Sequence, residues 1–339
     1  MRSDPVLSVR GLRVGFDGVD VVRGVSFDVL PGEVLALVGE SGAGKSLTAR
    51  ALLGMVPRGA SVEGEVLLNG APVTPADWGR RIALVPQDSL SALSPVHPVG
   101  EQLSLALRSV QGLSRREARR RAEAALEAVG IPAAKSRCHP HEFSGGMRQR
   151  AVLAMALVNE PELVVADEPT TALDPETQEK VLGLLRERCS ATSASLVLVT
   201  HDIEVVRAHA GRMAVVYAGL LAEYGPVERV LTRPLAPYTA GLLASLPAVD
   251  GTPRTRLPAL PGRPPAPGEP PTGCAFAPRC PHAVDHCRTR APEPRPVDGR
   301  EVACHLATVP ETVNPRCPTS ATWSYGREAA CRPTVPETV

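Results

Sequence analysis

Residues Gly39-Glu40-Ser41-Gly42-Ala43-Gly44-Lys45-Ser46 fit the pattern G-x-x-x-x-G-K-[ST]. They lie between a short apolar run, Val34 to Val38, and a helical pattern that begins at Lys45. A strand, a Gly-rich loop and a helix in that order commit the chain to an α/β fold with a parallel sheet. The glycines let backbone N–H groups turn inward around a β-phosphate, and the helix N-terminus presents its positive dipole end to the same group. In such a loop Gly39, Ser41, Gly42, Ala43 and Gly44 form the cradle, the Lys45 ammonium neutralises β/γ-phosphate oxygens, and the Ser46 hydroxyl ligates Mg²⁺.

Further Val/Leu-rich runs bounded by Gly and Pro read as buried strands: Leu7 to Val14, Glu63 to Leu68, Ile82 to Val85, Leu163 to Ala166 and Leu196 to Val199. Helical patterns lie between several of them. Ser114 with Glu117 three residues on marks a helix start that runs to about Gly130. The arginines between Arg115 and Arg121 read as a solvated helix face. Leu163-Val164-Val165-Ala166-Asp167 delivers a second acid toward the metal. Glu168, the next residue, stands where a general base would polarise an attacking water.

Phosphate loops serve many chemistries, so the class has to come from other residues. Gln87 follows a strand in Val85-Pro86-Gln87-Asp88, and Phe143-Ser144-Gly145-Gly146-Met147-Arg148-Gln149-Arg150 precedes an apolar helix. Ala172-Leu173-Asp174 follows the acid pair, and His201-Asp202 closes the strand ending at Val199. In this order, residues 5–250 resemble the nucleotide-binding subunit of ABC transporters. The resemblance implies a P-loop NTPase cassette with a RecA-like parallel-sheet core, an antiparallel β subdomain and a helical subdomain at about residues 90–160. It also implies a head-to-tail dimer with ATP and Mg²⁺ held between protomers. Ser144, Gly145 and Gly146 would bind the γ-phosphate on the partner's loop, and Asp174 would contact the partner. His201 would hold the water in line with Glu168, and Gln87 would touch Mg²⁺ and that water. Phe16, eleven residues before Phe27, falls where the family stacks an aromatic on adenine.

The wording narrows the resemblance further. Gln87 through Pro95, Val99-Gly100-Glu101-Gln102, the Ser144 to Arg150 string and Ala166 through Asp174 resemble the oligopeptide/dipeptide and nickel importers. Pro237-Tyr238-Thr239 and the Gly273-Cys274 region extend the likeness to about residue 306. Ala236 departs from the His usual there. The resemblance implies two permease subunits, a second and different ATPase subunit, an extracytoplasmic substrate-binding protein, and a place on the cytoplasmic face of the membrane. A soluble ABC ATPase and a metal- or redox-responsive regulator are the alternatives from other classes.

Charge and composition fit this reading. Lys+Arg numbers 37 and Asp+Glu 36, a balance that asks for no nucleic-acid partner. The longest apolar run, Met213 to Ala222, is about half the ~20 residues a membrane helix needs. The opening residues Met1 to Pro5 lack the apolar stretch of a secretory signal, so reduced thiols are expected. Aromatic residues make up only 3%, which leaves Val, Leu, Ile and Ala to fill the core.

Of 35 prolines, 18 follow Asp250, together with six of the eight cysteines. The chain therefore divides into a cassette at 1–250, a polyproline-like linker at 251–273, a Cys-rich extension at 274–306 and a disordered tail at 307–339. The tail carries TVPETV twice, at Thr308 to Val313 and Thr334 to Val339. Cys274, Cys280, Cys287 and Cys304 are spaced C-x5-C-x6-C-x16-C in a segment with almost no apolar core, so metal more than burial is expected to order it. A [4Fe–4S] cluster, as implied by the resemblance to some importers of this group, Zn²⁺, and free thiols are the three readings; close C-x₂₋₄-C pairs, which structural zinc prefers, are missing. Cys138, Cys189, Cys317 and Cys331 read as core or tail thiols.

Overall fold

The computed structural model describes residues 4–171, 173–245, 260–266 and 272–308. Most of the linker and tail expectations, both TVPETV segments except Thr308, and Cys317 and Cys331 lie outside the described residues. The chain opens with β1 (Leu7–Phe16), β2 (Val19–Val29) and β3 (Val34–Val38), followed by α1 (Lys45–Ala51). Strands β4 (Ala60–Leu68), β5 (Ala71–Pro72) and β6 (Ile82–Val85) come next. Helices α2 (Ser89–Ala92), α3 (Val99–Gln111), α4 (Arg115–Ala128) and α5 (Gly145–Leu157) follow, then β7 (Leu163–Asp167), α6 (Pro175–Ala191) and β8 (Ser195–Val199). The remainder is α7 (Ile203–His209), β9 (Arg212–Tyr217), β10 (Leu220–Pro226), α8 (Val227–Thr232), α9 (Pro237–Ala244), α10 (Asp285–Thr289), β11 (Arg295–Val297) and β12 (Arg300–Val302).

Two sheets organise these elements. One is antiparallel, in the order β2-β1-β4-β5; the other is eight-stranded, in the order β11-β12-β10-β9-β3-β8-β7-β6. The pairs β9–β3, β3–β8, β8–β7 and β7–β6 are parallel. Every residue of β7 and β8 is buried, because both faces of a parallel sheet are covered and its strands read as unbroken apolar runs. Alternation sorts their side chains. Leu163 and Val165 pack toward the antiparallel sheet and α1, while Val164 and Ala166 join the core under the helical subdomain.

The helical subdomain forms from amphipathic spacing. Val99, Leu103 and Leu107 line one face of α3, and Ala118, Ala122 and Leu126 one face of α4, at i, i+4 intervals. Ser144 begins α5 and Ser114 begins α4, each accepting from the backbone N–H three residues on. Glu117 turns outward to Arg120 and Arg121, and Arg119 pairs with Glu123, so these arginines do lie on a solvated face. The apolar run at Met213 to Ala222 is β9, a turn through Ala218 and Gly219 at φ 48° and 76°, and the start of β10. Among the described residues no helix is long and apolar enough to cross a membrane.

The Pro-rich boundary divides the composition but not the sheet. Strand β12 pairs with β10, Val302 opposite Glu223, and extends the main sheet. Arg300 and Glu223, 1% and 0% exposed, form an ion pair at 3.1 Å across that seam. Ala275 and Phe276 are buried with Tyr217 and Tyr238, and Val297, Val302 and Ala307 with Leu235 and Ala236. Full burial of each larger side chain is worth about 1.5–3 kcal/mol. The extension is thus held substantially by burial, contrary to the expectation from its composition. Its apolar residues stand singly among Pro, Cys and charge, so no periodic run announces them.

Candidate functional site

The phosphate loop leaves β3 at its C-terminal end. Gly39 passes so close to β9 that a Cβ there would collide with the Val216 carbonyl. Gly44 caps α1 in the left-handed region, at φ 94°, a conformation that glycine adopts without strain. Ser41 and Gly42 form the exposed crown, and Ala43 is buried beneath it. The Lys45 ammonium, 6% exposed, folds back over the loop and donates to Gly39 O at 2.9 Å and Glu40 O at 3.0 Å. Burial pulls its pKa below the ordinary lysine value, opposed by the charges of Glu168, Asp167 and Glu40.

Three neighbouring parallel strands bring the remaining residues to that loop. Val85 lies opposite Ala166, and Asp167 opposite Val199, so Gln87, the Asp167–Glu168 pair and His201 leave adjacent strand ends. Such C-terminal strand ends are where open parallel sheets place ligands. Ser46 Oγ donates to Asp167 Oδ1 at 2.8 Å. Burial pushes the Asp167 carboxyl up, partly offset by this bond. A hydroxyl and a carboxylate in contact beside a lysine and a phosphate loop are hard oxygen donors suited to Mg²⁺.

Glu168 has φ 45°, left-handed for a non-glycine residue, and its N–H donates to Val199 O at 2.9 Å. That backbone strain turns the carboxylate toward three side chains. Gln87 Nε2 donates to Oε2 at 3.2 Å and Thr171 Oγ1 to the same oxygen at 3.0 Å, while His201 Nδ1 lies 3.2 Å from Oε1. Thr171, which the sequence reading did not single out, joins the candidate site through its bond to Glu168. It stands inside the Ala166 to Asp174 string, so the signal was a hydroxyl three residues beyond the candidate base.

Ser144, Gly145, Gly146 and Asp174 assemble elsewhere. Ser144 Oγ accepts from Met147 N at 3.3 Å, and Asp174 caps α6 by accepting from Thr177 N at 3.0 Å. Hydrogen bonding from the Thr177 side chain, and then from its backbone N–H, holds the Asp174 carboxyl below its usual range. Gly146 lies against Thr177, where a Cβ would come within 2.9 Å of Cγ2. With Met147, Leu173 and Lys180 these residues line an open cleft of about 670 Å³ whose lining includes no phosphate-loop residue and neither acid. Phe16 ends β1, half-buried, opposite Val19 at a hairpin turn through Asp17 and Gly18. The following strand passes the loop, with Val21 O and Val22 against Gly44.

The four C-terminal cysteines are drawn together. Cys274 N donates to Cys287 O at 2.8 Å, and Gly273 permits this close approach to the Cys287 and Arg288 backbone. Burial pushes the Cys280 thiol up to about 11, reinforced by the charges of Cys304, Cys274 and Cys287. Cys274 and Cys304 are raised from the same first cause, each sensing Cys287 as well. Among the described residues, however, no group of three or more His, Cys, Asp or Glu side chains is arranged to hold a metal ion.

Residues 22–171 match the family model of ABC transporters, and residues 222–287 match the oligopeptide/dipeptide transporter C-terminal region. The oligopeptide transport ATP-binding protein OppD of Mycobacterium tuberculosis (strain ATCC 25618 / H37Rv) is 45% identical over 303 residues, 85% of this chain and 50% of that one. The chain spans about half the length of the mycobacterial relatives it matches. OppD of Bacillus subtilis (strain 168) is 41% identical over 299 residues, 84% of each chain, and OppD of Escherichia coli (strain K12) is 39% identical over 316 residues, 89% of this chain and 94% of that one. Among solved structures, cbiO1 from Clostridium perfringens, part of the ABC transporter complex cbiONQ, superposes with TM-score 0.59 at 26% identity, covering 68% of this chain and 92% of that one. The ATP-binding cassette MJ0796, a dimer in a post-hydrolysis state bound to ADP and Pi, does so with TM-score 0.57 at 26% identity, covering 65% and 98%. With the two family models in chain order and relatives matched over most of their own length, the chain belongs to the oligopeptide/dipeptide group of ABC transporter ATP-binding proteins.

Proposed function

We propose that this chain is the ATP-hydrolysing subunit of an importer of oligopeptides or dipeptides, acting at the cytoplasmic face of the membrane through two permease subunits and an extracytoplasmic binding protein. The observation that carries this reading is the Glu168 carboxylate held by Gln87, Thr171 and His201 beside the Ser46–Asp167 pair. A carboxylate fixed at both oxygens next to a phosphate loop can orient a water and take its proton as it attacks the γ-phosphate. Ser46, Asp167 and Gln87 would hold Mg²⁺, which would supply charge neutralisation for the bound phosphates. His201 keeps the base and water in line. Lys45 leaves the Gly39 and Glu40 carbonyls to pair with phosphate oxygens. Phe16 stacks on the adenine from the hairpin beside the loop.

The cleft at Ser144, Gly145, Gly146 and Asp174 closes over a partner's phosphate loop, and its amides at the start of α5 meet the γ-phosphate there. A second, different cassette is the proposed partner. In its favour, the mycobacterial relatives carry about as much chain again outside the match, a length that a second cassette would fill. No nucleic acid enters this scheme.

Cys274, Cys280, Cys287 and Cys304 hold a [4Fe–4S] cluster in this reading, with Zn²⁺ as the competing occupant. An all-sulfur donor set suits either. What supports the reading is that the four thiols lie close enough to sense one another's charge. When bound, the cluster ties the extension together.

Co-purification with its permeases and reconstitution in proteoliposomes tests the reading. Peptide-loaded binding protein should stimulate ATP hydrolysis and peptide uptake together. Hydrolysis that no permease or peptide affects would overturn it.

A further inference from the structure

Glu40 occupies a position that the phosphate-loop pattern leaves open, yet three separate elements hold it. Its carboxylate receives a two-pronged bond from Arg279, Nη1 to Oε2 at 2.9 Å and Nη2 to Oε1 at 3.0 Å. Its N–H donates to the Tyr238 hydroxyl at 3.0 Å, and its carbonyl accepts from Lys45. Arg279 is 5% exposed and itself oriented: Nε donates to Pro261 O at 2.8 Å and Nη1 to the Tyr217 hydroxyl at 3.1 Å. It closes the turn Ala277–Arg279, directly before Cys280 and three residues after Phe276, whose ring packs edge-on to Tyr217 and Tyr238.

We propose that Arg279 is a positioning residue for nucleotide binding: the Cys-rich extension reaches back through the Arg279–Glu40 fork, fixes the phosphate loop and neutralises a carboxylate that would otherwise repel the incoming phosphates. The proposal rests on the nucleotide-binding reading of that loop. When Lys45 turns to the phosphates, the loop loses its own ties at Gly39 and Glu40, and the fork with Tyr238 remains to hold Glu40. A loop already in place binds with less ordering cost. A bidentate guanidinium–carboxylate pair gives direction as well as charge, which a lysine cannot reproduce. Glu168 is held by Gln87, Thr171 and His201, a different set of bonds from those of the fork, so the effect is expected on binding more than on the chemical step.

The test uses the full chain, with the Kd of a non-hydrolysable ATP analogue and the kcat and KM of hydrolysis as readouts. Arg279→Met leaves Glu40 as an unpaired anion beside the phosphates, and Kd and KM should rise about tenfold with kcat within about twofold. Adding Glu40→Gln removes that anion and should recover most of the affinity, a rescue that a merely structural arginine would not show. Arg279→Lys keeps the charge without the fork and should raise Kd about threefold; it carries the test if Arg279→Met does not fold. Cys280→Ser should weaken binding in the otherwise native chain and add nothing to Arg279→Met. A native Kd in Arg279→Met, or in Arg279→Lys where that variant stands in, overturns the proposal, as does failure of Glu40→Gln to rescue or full additivity of Cys280→Ser. Native protein that binds no nucleotide would instead count against the reading beneath it.

Discussion

His201 Nδ1 stands 3.2 Å from Glu168 Oε1, while the other oxygen of the same carboxylate is occupied by Gln87 and Thr171. Only Oε1, on the histidine side, is left without a second donor for an attacking water. Glu168→Gln keeps the shape and removes the base. ATP binding should persist while turnover falls by at least about a hundredfold. Single-turnover hydrolysis with bound nucleotide measured in parallel checks this, and near-native turnover from this site would sink the assignment.

Thr171 offers a subtler test, since it touches the base and not the nucleotide. Thr171→Val removes the hydroxyl and keeps the branching. The loosened carboxylate should cost about tenfold in kcat with KM unchanged. Thr171→Ser should restore most of the rate. A KM effect of the same size would mean that Thr171 acts on binding.

Much of this site was legible in the sequence, because each element couples a strand end to a residue type whose chemistry has few alternatives. Val34–Val38 followed by Gly39 to Ser46 admits one geometry, and the register of β6, β7 and β8 brings Gln87, Asp167, Glu168 and His201 to it. The Arg279–Glu40 fork was not legible. Its partners are 239 positions apart, one in an open position of the motif and the other among prolines, and nothing local reports their contact. The same is true of β12. A three-residue strand, two of whose residues pair with β10, leaves no periodic trace, so the proline count suggested a boundary that the sheet crosses.

That crossing has an energetic anchor in Arg300 and Glu223. The carboxylate also accepts from the N–H groups of Leu235 and Ala236, and Arg300 Nη1 also donates to Arg229 O and Arg233 O. Removing one partner of a buried pair strands the other, so Arg300→Met should destabilise by about 3–5 kcal/mol. Adding Glu223→Gln removes the stranded charge while keeping an acceptor for the two amides, and should recover part of the loss. Urea unfolding curves for the single and double variants decide. Equal midpoints for Arg300→Met and the native chain would show that the seam is not a buried anchor.

Cys189 gives a pH-dependent reporter of the helical core. It lies on α6, 2% exposed, and burial alone pushes its thiol from 9.0 up to about 12. Between those two values the folded chain keeps a proton that the unfolded chain has released. This group's contribution to stability is therefore complete below about pH 9 and is lost as the pH climbs toward 12. Cys189→Ala should flatten the decline in melting temperature on the alkaline side and lower it slightly elsewhere, through the lost sulfur packing. The native thiol should also resist maleimide at pH 8 until the core opens, because the thiolate is the nucleophile. Rapid labelling of Cys189 in the folded protein, or an unchanged alkaline slope in Cys189→Ala, would contradict this picture of the α6 interface.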